Sequence, residues 1–407
     1  MRKIWIGFAA ALLILHTAGS AASAAEITGD CNRDGACTIA DAVLLSRWLT
    51  TIPDTVLPDP QAADLNADGM LSAADLSLLK QRLLKPPAEG IPVKDIGGLF
   101  QAMRSAKPGD VIRLAAGTYD YSGYQGAQKI DTSASGTKEA PITLTAADPE
   151  HPPVLTGSQT ETGYVLHIQG EYWVIENLII TTSQKGIVLD HASHSVIRNC
   201  EISNTGAEAV ALRDGSSYCT VSGCSIHDTG LVSPGYGEGV YVGSAKSTSG
   251  FDYHCDSNKI ENCVFQNIAA EHIDVKEYTA GTEICGCTFY GDGMTGENYA
   301  GSFVDIAGNA CSVHDNTGYR RQNPKIVAAF EIHEQVEGWG HGNVFRDNTV
   351  YLDQPYGAED TSRKMYFVDG WFTEVAASGN RADYGSGLTA VPEAYFNVKK
   401  VNEITTG

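Results

Sequence analysis

The sequence predicts a mainly β protein in which a parallel β-helix follows a small all-α module. The first observation is a short pattern that recurs through the second half of the chain: an apolar residue, any residue, Asn, Gly or Asp, and then in most copies Cys or Asn. Its copies begin at Ile175, Ile197, Val221, Ile260, Ile284, Val313 and Phe345. The steps of 22 to 39 residues fit stacked coils, which take roughly 20 residues or more each, with loops inserted in the longer ones. The second observation is a pair of Asp-rich loops near the N-terminus, each followed by an apolar-periodic helix.

The composition is that of a globular, acidic protein. Of the 407 residues, 43% are hydrophobic and 19% are charged, and the formal net charge is −21. This acidity argues against nucleic acid as a partner, because phosphate binding needs a basic surface. Acidic sugars remain possible partners, since a local cation inverts the sign of a site. No apolar run of about 18 residues follows the N-terminus, so we expect no membrane span.

The first residues have the features of an export signal. Arg2 and Lys3 precede an apolar run from Ile4 to Leu15, and small residues then lead to a small-x-small site at Ala22–Ala24. A membrane anchor is the alternative, but about twelve apolar residues fall short of the ~20 that span a bilayer. We therefore predict a signal peptide over residues 1–24 and a mature protein outside the cell, in a cellulosome or at a cell surface.

Two Asp-rich loops predict two calcium sites. The first runs from Asp30 to Asp41 and the second from Asp64 to Asp75, 34 residues later. Calcium prefers six to eight oxygen ligands, which loops of this kind supply from carboxylates and one backbone carbonyl. The predicted ligands are Asp30, Asn32, Asp34, Ala36, Thr38 and Asp41 in the first loop, and Asp64, Asn66, Asp68, Met70, Ser72 and Asp75 in the second. Ala36 and Met70 would contribute their carbonyl oxygens.

This duplicated loop–helix unit resembles a type I dockerin over residues 26–86. The resemblance implies a cohesin module of a scaffoldin as the partner, and cargo in the rest of the chain. The family's partner-reading positions would be Ile39-Ala40 and Ala73-Ala74. Cys31 and Cys37 depart from the usual loop, and either a local disulfide or two separate thiols fits them. We assign residues 87–94 to a linker and residues 95–407 to the β-helix, the expected catalytic domain.

The start of this second domain resembles the N-terminal cap and first coil of pectate-lyase-like right-handed β-helices. A helix-like stretch from Ile96 to Ala106 precedes the strand-like segment that ends at Leu114. Four cysteines fall at the same place in the repeat, and two asparagines continue their row: Cys200, Cys224, Cys263, Cys287, Asn316 and Asn348. Their stacking distance of ~4.8 Å also permits disulfides. We favour an interior ladder with buried thiols.

A second strand in each coil predicts rows of outward side chains, because alternate residues of a strand face the same side. One predicted row contains Val188, Ala211, Tyr241, Asp274, Asp305, Glu331 and Phe367. The next contains Asp190, Arg213, Gly243, Lys276, Ala307, His333 and Asp369. Three carboxylates stacked at ~4.8 Å need a cation or a proton between them, so Asp274, Asp305 and Glu331 are candidate metal ligands or acids. An exposed polar sheet face is the alternative.

Three segments are similar to the core motif of the chondroitinase B and alginate lyase family: 237–243, 262–265 and 271–276. The resemblance implies that Lys276 is the Brønsted base and Glu271 a calcium ligand. The family also expects an Arg on the next coil, where this chain has Val304-Asp305-Ile306-Ala307. One of four residues would have to replace that Arg: Arg213, Arg320, Arg321 or His333.

These features lead to three functional hypotheses for a secreted, cellulosome-type protein, which we expect to be monomeric. The first is a polysaccharide lyase acting on uronic-acid polymers, pectin-like for preference. Calcium held by Asp274, Asp305 and Glu331 would neutralise the substrate carboxylate. Lys276, with a lowered pKa, would abstract the C5 proton, and His333 or an Arg would assist the leaving oxygen. The second is a polygalacturonase-like glycoside hydrolase that uses two of the three carboxylates, and the third is a non-catalytic carbohydrate-binding β-helix.

Overall fold

The chain divides into two compact units, residues 1–89 and 90–407. The structure, a computed structural model, describes residues 29–33, 37–53, 55–66, 68–84, 90–353, 365–371, 373–398 and 400–403. The predicted signal peptide, Asp34, Ala36 and residues 87–89 of the predicted linker lie outside these residues. Among the described residues, no helix has the length and apolar character that a membrane crossing requires.

The first unit is built on two helices, α1 (Ile39–Leu49) and α2 (Ala73–Leu84). Leu45 from α1 and Leu79 from α2 are fully buried in one small apolar cluster. Thr38 caps α1: its hydroxyl accepts a hydrogen bond from the Ala40 amide. The unit is therefore all-α, as the sequence predicts.

The second unit is a parallel β-helix that begins with a capping helix, α3 (Ile96–Ser105). The Asp95 carboxylate accepts a hydrogen bond from the Gly98 amide and so starts α3. Leu99 and Met103 of α3 are fully buried in the same core as the first strands. This helix lies where the sequence predicts one and covers the apolar end of the first coil.

Three sheets form the walls of the β-helix, and each complete coil contributes one strand to each sheet. Sheet A contains β1 (Ile91–Val93), β2 (Val111–Leu114), β5 (Ile142–Ala146), β8 (Trp173–Glu176), β11 (Val196–Arg198), β14 (Thr220–Ser222), β17 (Lys259–Glu261), β20 (Glu283–Cys285), β23 (Ser312–His314), β26 (Asn343–Arg346), β29 (Glu374–Ser378) and β33 (Lys400–Glu403).

Sheet B contains β3 (Thr118–Asp120), β6 (Val154–Thr156), β9 (Ile179–Ser183), β12 (Glu201–Thr205), β15 (Ser225–His227), β18 (Val264–Gln266), β21 (Thr288–Tyr290), β24 (Thr317–Tyr319), β27 (Thr349–Tyr351), β30 (Arg381–Asp383) and β31 (Leu388–Ala390). The pairing of β30 with β31 is antiparallel. Sheet C contains β4 (Lys129–Thr132), β7 (Tyr164–Ile168), β10 (Lys185–Asp190), β13 (Val210–Arg213), β16 (Val240–Val242), β19 (Ile273–Val275), β22 (Val304–Ile306), β25 (Ala328–His333), β28 (Tyr366–Trp371) and β32 (Phe396–Asn397). Short 3₁₀ helices lie at Pro234–Tyr236, Gly291–Gly293, Glu297–Tyr299 and Glu393–Tyr395.

The third position of the recurring sequence pattern is a left-handed turn between sheets A and B. Asn177, Asn199 and Asn262 have φ values of 58°, 52° and 53°, and Gly223 and Gly286 have 59° and 63°. Asn, Asp and Gly are the residues that adopt this conformation most readily. The repeat is therefore visible in the sequence because each coil needs the same backbone turn.

The cysteine and asparagine row is an interior ladder, as predicted. Cys200, Cys224, Cys263 and Cys287 are buried, and all ten cysteines of the chain, each within the described residues, are free thiols. The Cys287 amide donates to Asn316 Oδ1 at 2.9 Å, and the Asn316 amide donates to Asn348 Oδ1 at 3.2 Å. The next member, Asn380, was not predicted; its Oδ1 accepts a hydrogen bond from the Asn348 amide at 3.0 Å. The asparagines thereby satisfy buried backbone groups where the chain turns.

Candidate active site and calcium loops

The predicted carboxylate row exists on the outer face of sheet C. Tyr241 pairs with Asp274, Asp274 with Asp305, and Asp305 with Glu331 on successive strands. The next member is Asp369, so the prediction of Phe367 at this position is wrong. Phe367 is instead fully buried, with its ring 5.3 Å from that of Phe330.

The second predicted row of side chains is also wrong at its last position. Asp190 pairs with Arg213 as predicted, but Trp371, not Asp369, is the neighbour of His333. Fourteen residues separate β27 from β28, and their number does not by itself fix where pairing resumes, so residue counting misplaced the register. The correction places an exposed aromatic ring beside His333, with ring centres 5.3 Å apart.

All five predicted catalytic residues line one cavity of about 560 Å³: Asp274, Lys276, Asp305, Glu331 and His333. The other lining side chains include Glu238, Lys246, Glu271, Glu277, Tyr299 and Trp371. Side chains that are distant along the chain therefore meet on one outer wall. The cavity is strongly acidic, with six carboxylates and two lysines among these residues.

A second acidic row, which the sequence analysis missed, runs beside the first. Glu208, Glu238 and Glu271 each stand two residues ahead of the first inward residue of their strand, and backbone hydrogen bonds hold their coils in register. Lys185 heads the row and neutralises Glu208, with Nζ 2.5 Å from Oε1. The signal was present as a repeated Glu-x-Val/Ile, in Glu208-Ala-Val, Glu238-Gly-Val and Glu271-His-Ile.

The two acidic rows meet in a buried trio formed by Glu238, Glu271 and Asp274. One oxygen from each carboxylate lies within 4.8 Å of the other two. Burial, together with the charges of Asp274 and Glu208, raises the pKa of Glu238 to about 8. The pKa of Glu271 is raised by burial and by Asp274, and that of Asp274 rises to about 6, mainly through burial and despite Lys276. The trio therefore needs protons or a cation to be stable at neutral pH.

The trio is a further group of acids that could hold a cation, and it includes Glu271, the residue that the family resemblance implies as a calcium ligand. The sequence grouped Asp274 with Asp305 and Glu331, but Asp305 faces His333, with Oδ1 3.3 Å from Nε2. Glu238 and Glu271, which precede their strands, each bring one carboxylate oxygen within 4.8 Å of an Asp274 oxygen. The trio fits a hard cation: its donors are all carboxylate oxygens, and Glu238 Oε2 is buried without a hydrogen-bond partner among the described residues.

Lys276 lies at the centre of the cavity. Its Nζ is 2.6 Å from Asp274 Oδ2 and 5.4 Å from the centre of the Tyr241 ring. Burial favours a lower pKa for Lys276, but Asp274, Tyr241 and Asp305 outweigh it and hold the pKa well above its ordinary value. The expected lowering of this pKa is therefore not produced by the side chains alone, because it depends on neutralising the nearby acids.

Tyr241 stands on the coil before Lys276. Its hydroxyl oxygen accepts a hydrogen bond from the Ala245 amide at 3.1 Å. Burial, followed by the charge of Asp274, raises the pKa of Tyr241. The phenol therefore keeps its proton at neutral pH and has one to donate, a property that its aromatic character in the sequence did not reveal.

The arginines considered as replacements for the family's Arg are occupied elsewhere. Arg213 binds Asp190 through two hydrogen bonds of 3.0 and 2.9 Å. Arg320 is buried against Asp353, and the Arg321 guanidinium lies 4.7 Å from the centre of the Tyr290 ring. None of the three is among the described residues that line the cavity, whereas His333 is.

The contacts of Asp190 with His167 and Arg213 predict how the stability of the folded protein depends on pH. Burial opposes ionisation of Asp190, but hydrogen bonds from His167 and Arg213 lower its pKa to about 2. A pKa that is depressed on folding gives stability above the unfolded value of ~3.9 that is lost as the pH falls toward 2. We expect a contribution of about 2 kcal/mol to disappear between pH 4 and 2. Thermal unfolding of Asp190→Asn and wild type across this range measures it, and parallel pH profiles of the two proteins would contradict it.

The two Asp-rich loops of the first unit are closed by their last aspartates. Asp41 is fully buried and accepts hydrogen bonds from the amides of Cys31 at 2.8 Å and Thr38 at 2.7 Å. Asp75 is buried in the same way, accepting from the amides of Leu65 at 3.0 Å and Ser72 at 2.9 Å. Each carboxylate ties its loop to the helix that follows.

Hydrogen bonds also hold the predicted ligand residues near the start of the second loop close together. The Gly69 amide donates to Asp64 at 2.8 Å, the Asp68 amide to Asn66 at 3.1 Å, and the Met70 amide to Asp68 at 2.8 Å. The predicted ligand atoms of both loops, within the described residues, are carboxylate, amide, hydroxyl or carbonyl oxygens, a set that fits calcium. Cys31 and Cys37 are separate thiols here.

Comparison with known proteins assigns both units. Residues 28–84 match the model of the dockerin type I domain, and residues 88–231 match that of the Pel9A-like, right handed beta helix region. A comparison with curated proteins finds no match. The chain is thus a type I dockerin followed by a right-handed parallel β-helix, as the sequence predicts.

Comparison with solved structures identifies the family to which the β-helix belongs. ORF18 of Geobacillus virus E2 is 15% identical, with a TM-score of 0.52 over 82% of this chain and 65% of that chain, and shows a shared fold alone. The alginate lyase from Paenibacillus sp. str. FPU-7 is 40% identical, with a TM-score of 0.69 over 77% of this chain and 99% of that chain. Because the similarity spans almost all of that enzyme, this dockerin-bearing chain belongs to the family of the Paenibacillus alginate lyase.

Proposed function

We propose that the β-helix is a polysaccharide lyase that cleaves a uronic-acid polymer, alginate first, by β-elimination at the sheet C cavity. The observation that carries the proposal is Lys276, whose Nζ lies among buried carboxylates and beside a protonated Tyr241. Elimination needs one base that takes the C5 proton and one acid that protonates the leaving oxygen. The 40% identity to an alginate lyase favours alginate over the pectin-like polymer that the sequence analysis preferred.

The positions of the candidate proton donors favour Tyr241. The proton removed and the oxygen released are on adjacent carbons of one sugar ring, so base and donor must lie close together. The Tyr241 ring centre is 5.4 Å from Lys276 Nζ. His333 belongs to a strand two coils from Lys276, which at ~4.8 Å per strand places it about 10 Å away. We assign proton donation to Tyr241 and contact with a neighbouring sugar to His333.

An acidic cavity that binds an acidic polymer requires a positive charge. Calcium held by Glu238, Glu271 and Asp274 would supply it, neutralising the uronate carboxylate and acidifying the C5 proton. The side chains contribute in their own right: neutralisation of Asp274 removes the largest of the interactions that raise the pKa of Lys276, the others being with Tyr241 and Asp305. Lys246, whose ammonium donates to the Gln335 carbonyl at the cavity wall, adds a fixed positive charge.

Two exposed aromatic side chains at the cavity suit sugar rings. Tyr299 is 93% exposed and Trp371 is 58% exposed, and both line the cavity. Aromatic faces pack against the apolar faces of pyranose rings. We assign these residues to substrate contact on either side of the reacting sugar.

A substrate panel tests the lyase proposal against the other two hypotheses. Polymannuronate, polyguluronate and polygalacturonate are incubated with the full chain, and both unsaturated products and reducing ends are measured. We expect ultraviolet absorbance of an unsaturated product on an alginate block. New reducing ends without that absorbance would establish a hydrolase, and binding without either product would establish a carbohydrate-binding β-helix.

We propose that the dockerin unit attaches this secreted enzyme to a cohesin in a calcium-dependent manner. Ile39, 77% exposed, and the exposed Ala40, Ala73 and Ala74 stand at the positions that the resemblance assigns to partner recognition.

Chelation of calcium, or the double variant Asp41→Ala and Asp75→Ala, is expected to weaken cohesin binding by a hundredfold or more, because the loops lose both their ligands and their closing hydrogen bonds. Surface plasmon resonance on an immobilised cohesin measures this. Asp120→Ala in the β-helix is the control, and unchanged binding after chelation would refute the calcium requirement.

A further inference from the structure

A second cluster of ligating side chains lies on the outer face of sheet A, away from the cavity on sheet C. Glu283 and Cys285 are alternate residues of β20, so both point outward while Ile284 between them is fully buried. His314 on β23 is the register partner of Cys285. The fold therefore places a carboxylate, a thiol and an imidazole side by side.

The spacing of these three groups suits a tetrahedral metal ion. One ligand atom from each residue lies within 4.8 Å of the others. Zinc bonds of about 2.0–2.3 Å place tetrahedral ligands about 3.4 Å apart, so small side-chain rotations close the site. Sulfur, nitrogen and oxygen together are the donors of zinc-class ions, whereas calcium and magnesium take oxygen alone.

Surrounding contacts already orient two of the ligands. Asp315 Oδ2 is 2.7 Å from His314 Nδ1, which leaves Nε2 directed at Glu283 Oε1, 2.9 Å away. Lys259 Nζ lies 3.5 Å from Glu283 Oε2, so the other oxygen faces the cluster. In metal sites, a hydrogen-bond or ion-pair partner on the side of a ligand that faces away from the metal fixes the orientation of that ligand.

The local charge balance also suits a dication. Glu261, Glu283 and Asp315 are negative, and Cys285 becomes negative when it loses its proton. Lys259, 3.0 Å from Glu261, and Arg346, the register partner of His314, are positive. With a thiolate, four negative groups face two positive ones, which leaves two negative charges for the ion.

We infer that Glu283, Cys285 and His314 form a binding site for a zinc-class divalent cation, with a water molecule as fourth ligand. Binding displaces two protons, the one shared by Glu283 and His314 and the thiol proton of Cys285, and both are released to solvent. The site joins β20 to β23 on the wall away from the cavity, so its role is to bind the ion and cross-link two coils.

Cobalt(II) added to the calcium-saturated full chain tests the inference, because excess calcium occupies the all-oxygen sites. We expect a thiolate-to-cobalt absorption band, loss of that band in Cys285→Ser, and its retention in Cys37→Ser. Zinc titrated by calorimetry into the calcium-saturated chain should bind at least tenfold more weakly to Cys285→Ser, and about tenfold more weakly to Asp315→Asn, which loses only the orienting partner.

Two results would overturn the inference. One is the absence of the absorption band in the wild-type chain, and the other is its persistence in Cys285→Ser. Circular dichroism establishes that each variant is folded, and if Cys285→Ser does not fold, His314→Gln takes its place with the same expected loss. Lyase activity of these variants should match that of the wild type, because none of the substituted residues lines the cavity.

Discussion

Substitution of Lys276 by alanine is expected to lower kcat on alginate about a thousandfold, while KM changes little. General-base catalysis contributes typically about 10²–10⁴-fold, and Lys276 is the basic side chain whose Nζ lies beside both Asp274 and Tyr241. Lys276→Arg should be almost as inactive, because a guanidinium keeps the positive charge but does not give up its proton. Steady-state kinetics by ultraviolet absorbance of the product measures both variants.

The control for this experiment is Lys129→Ala. Lys129 is also on sheet C, 5.5 Å from the Tyr164 ring centre, but does not line the cavity. It should retain wild-type kcat. Activity of Lys276→Arg close to that of the wild type would show that the residue contributes charge rather than accepting a proton, and would refute its assignment as base.

Tyr241→Phe is expected to lower kcat by about 10²–10⁴-fold, because it removes the proposed proton donor and keeps the ring. The phenylalanine still packs beside Lys276, so KM should change little. His333→Gln should instead raise KM more than it lowers kcat, since we assign His333 to a neighbouring sugar. The comparison of kcat with KM for the two variants, on the same alginate block, separates the two roles.

Tyr236→Phe is the matched control for the loss of a hydroxyl, because Tyr236 is 61% exposed and lies in the 3₁₀ helix Pro234–Tyr236 rather than on a strand of sheet C. It should behave as the wild type. If His333→Gln abolishes turnover while Tyr241→Phe leaves it intact, the assignment of proton donor is reversed.

The carboxylate row was predictable because it depends on two periodic properties. Alternation along a strand puts every second side chain outside, and hydrogen bonding between coils puts equivalent residues ~4.8 Å apart. Asp274, Asp305 and Glu331 could therefore be placed from sequence positions alone, and sheet C contains them as predicted. The prediction failed at Phe367, because the number of residues between β27 and β28 does not fix where pairing resumes.

The buried trio could not be predicted in the same way. It combines Asp274, which lies within a strand, with Glu238 and Glu271, which lie at the turns ahead of two strands. Whether a turn residue curves toward a strand residue depends on the path of the backbone between sheets, which no short periodicity encodes. The repeated Glu-x-Val/Ile is visible in the sequence, but the approach of these glutamates to Asp274 is not.

The amino-acid sequence by itself determined the repeating architecture: two oxygen-rich loops ahead of helices, and coils marked by Asn, Asp or Gly at each left-handed turn. These features are local, since each residue type suits the backbone conformation at its own position. Only the tertiary structure decided which acids meet, which arginines are already paired, and that the pKa of Lys276 is raised rather than lowered. The physical reason is that electrostatic interactions depend on distance and burial, which are set by the packing of coils against one another.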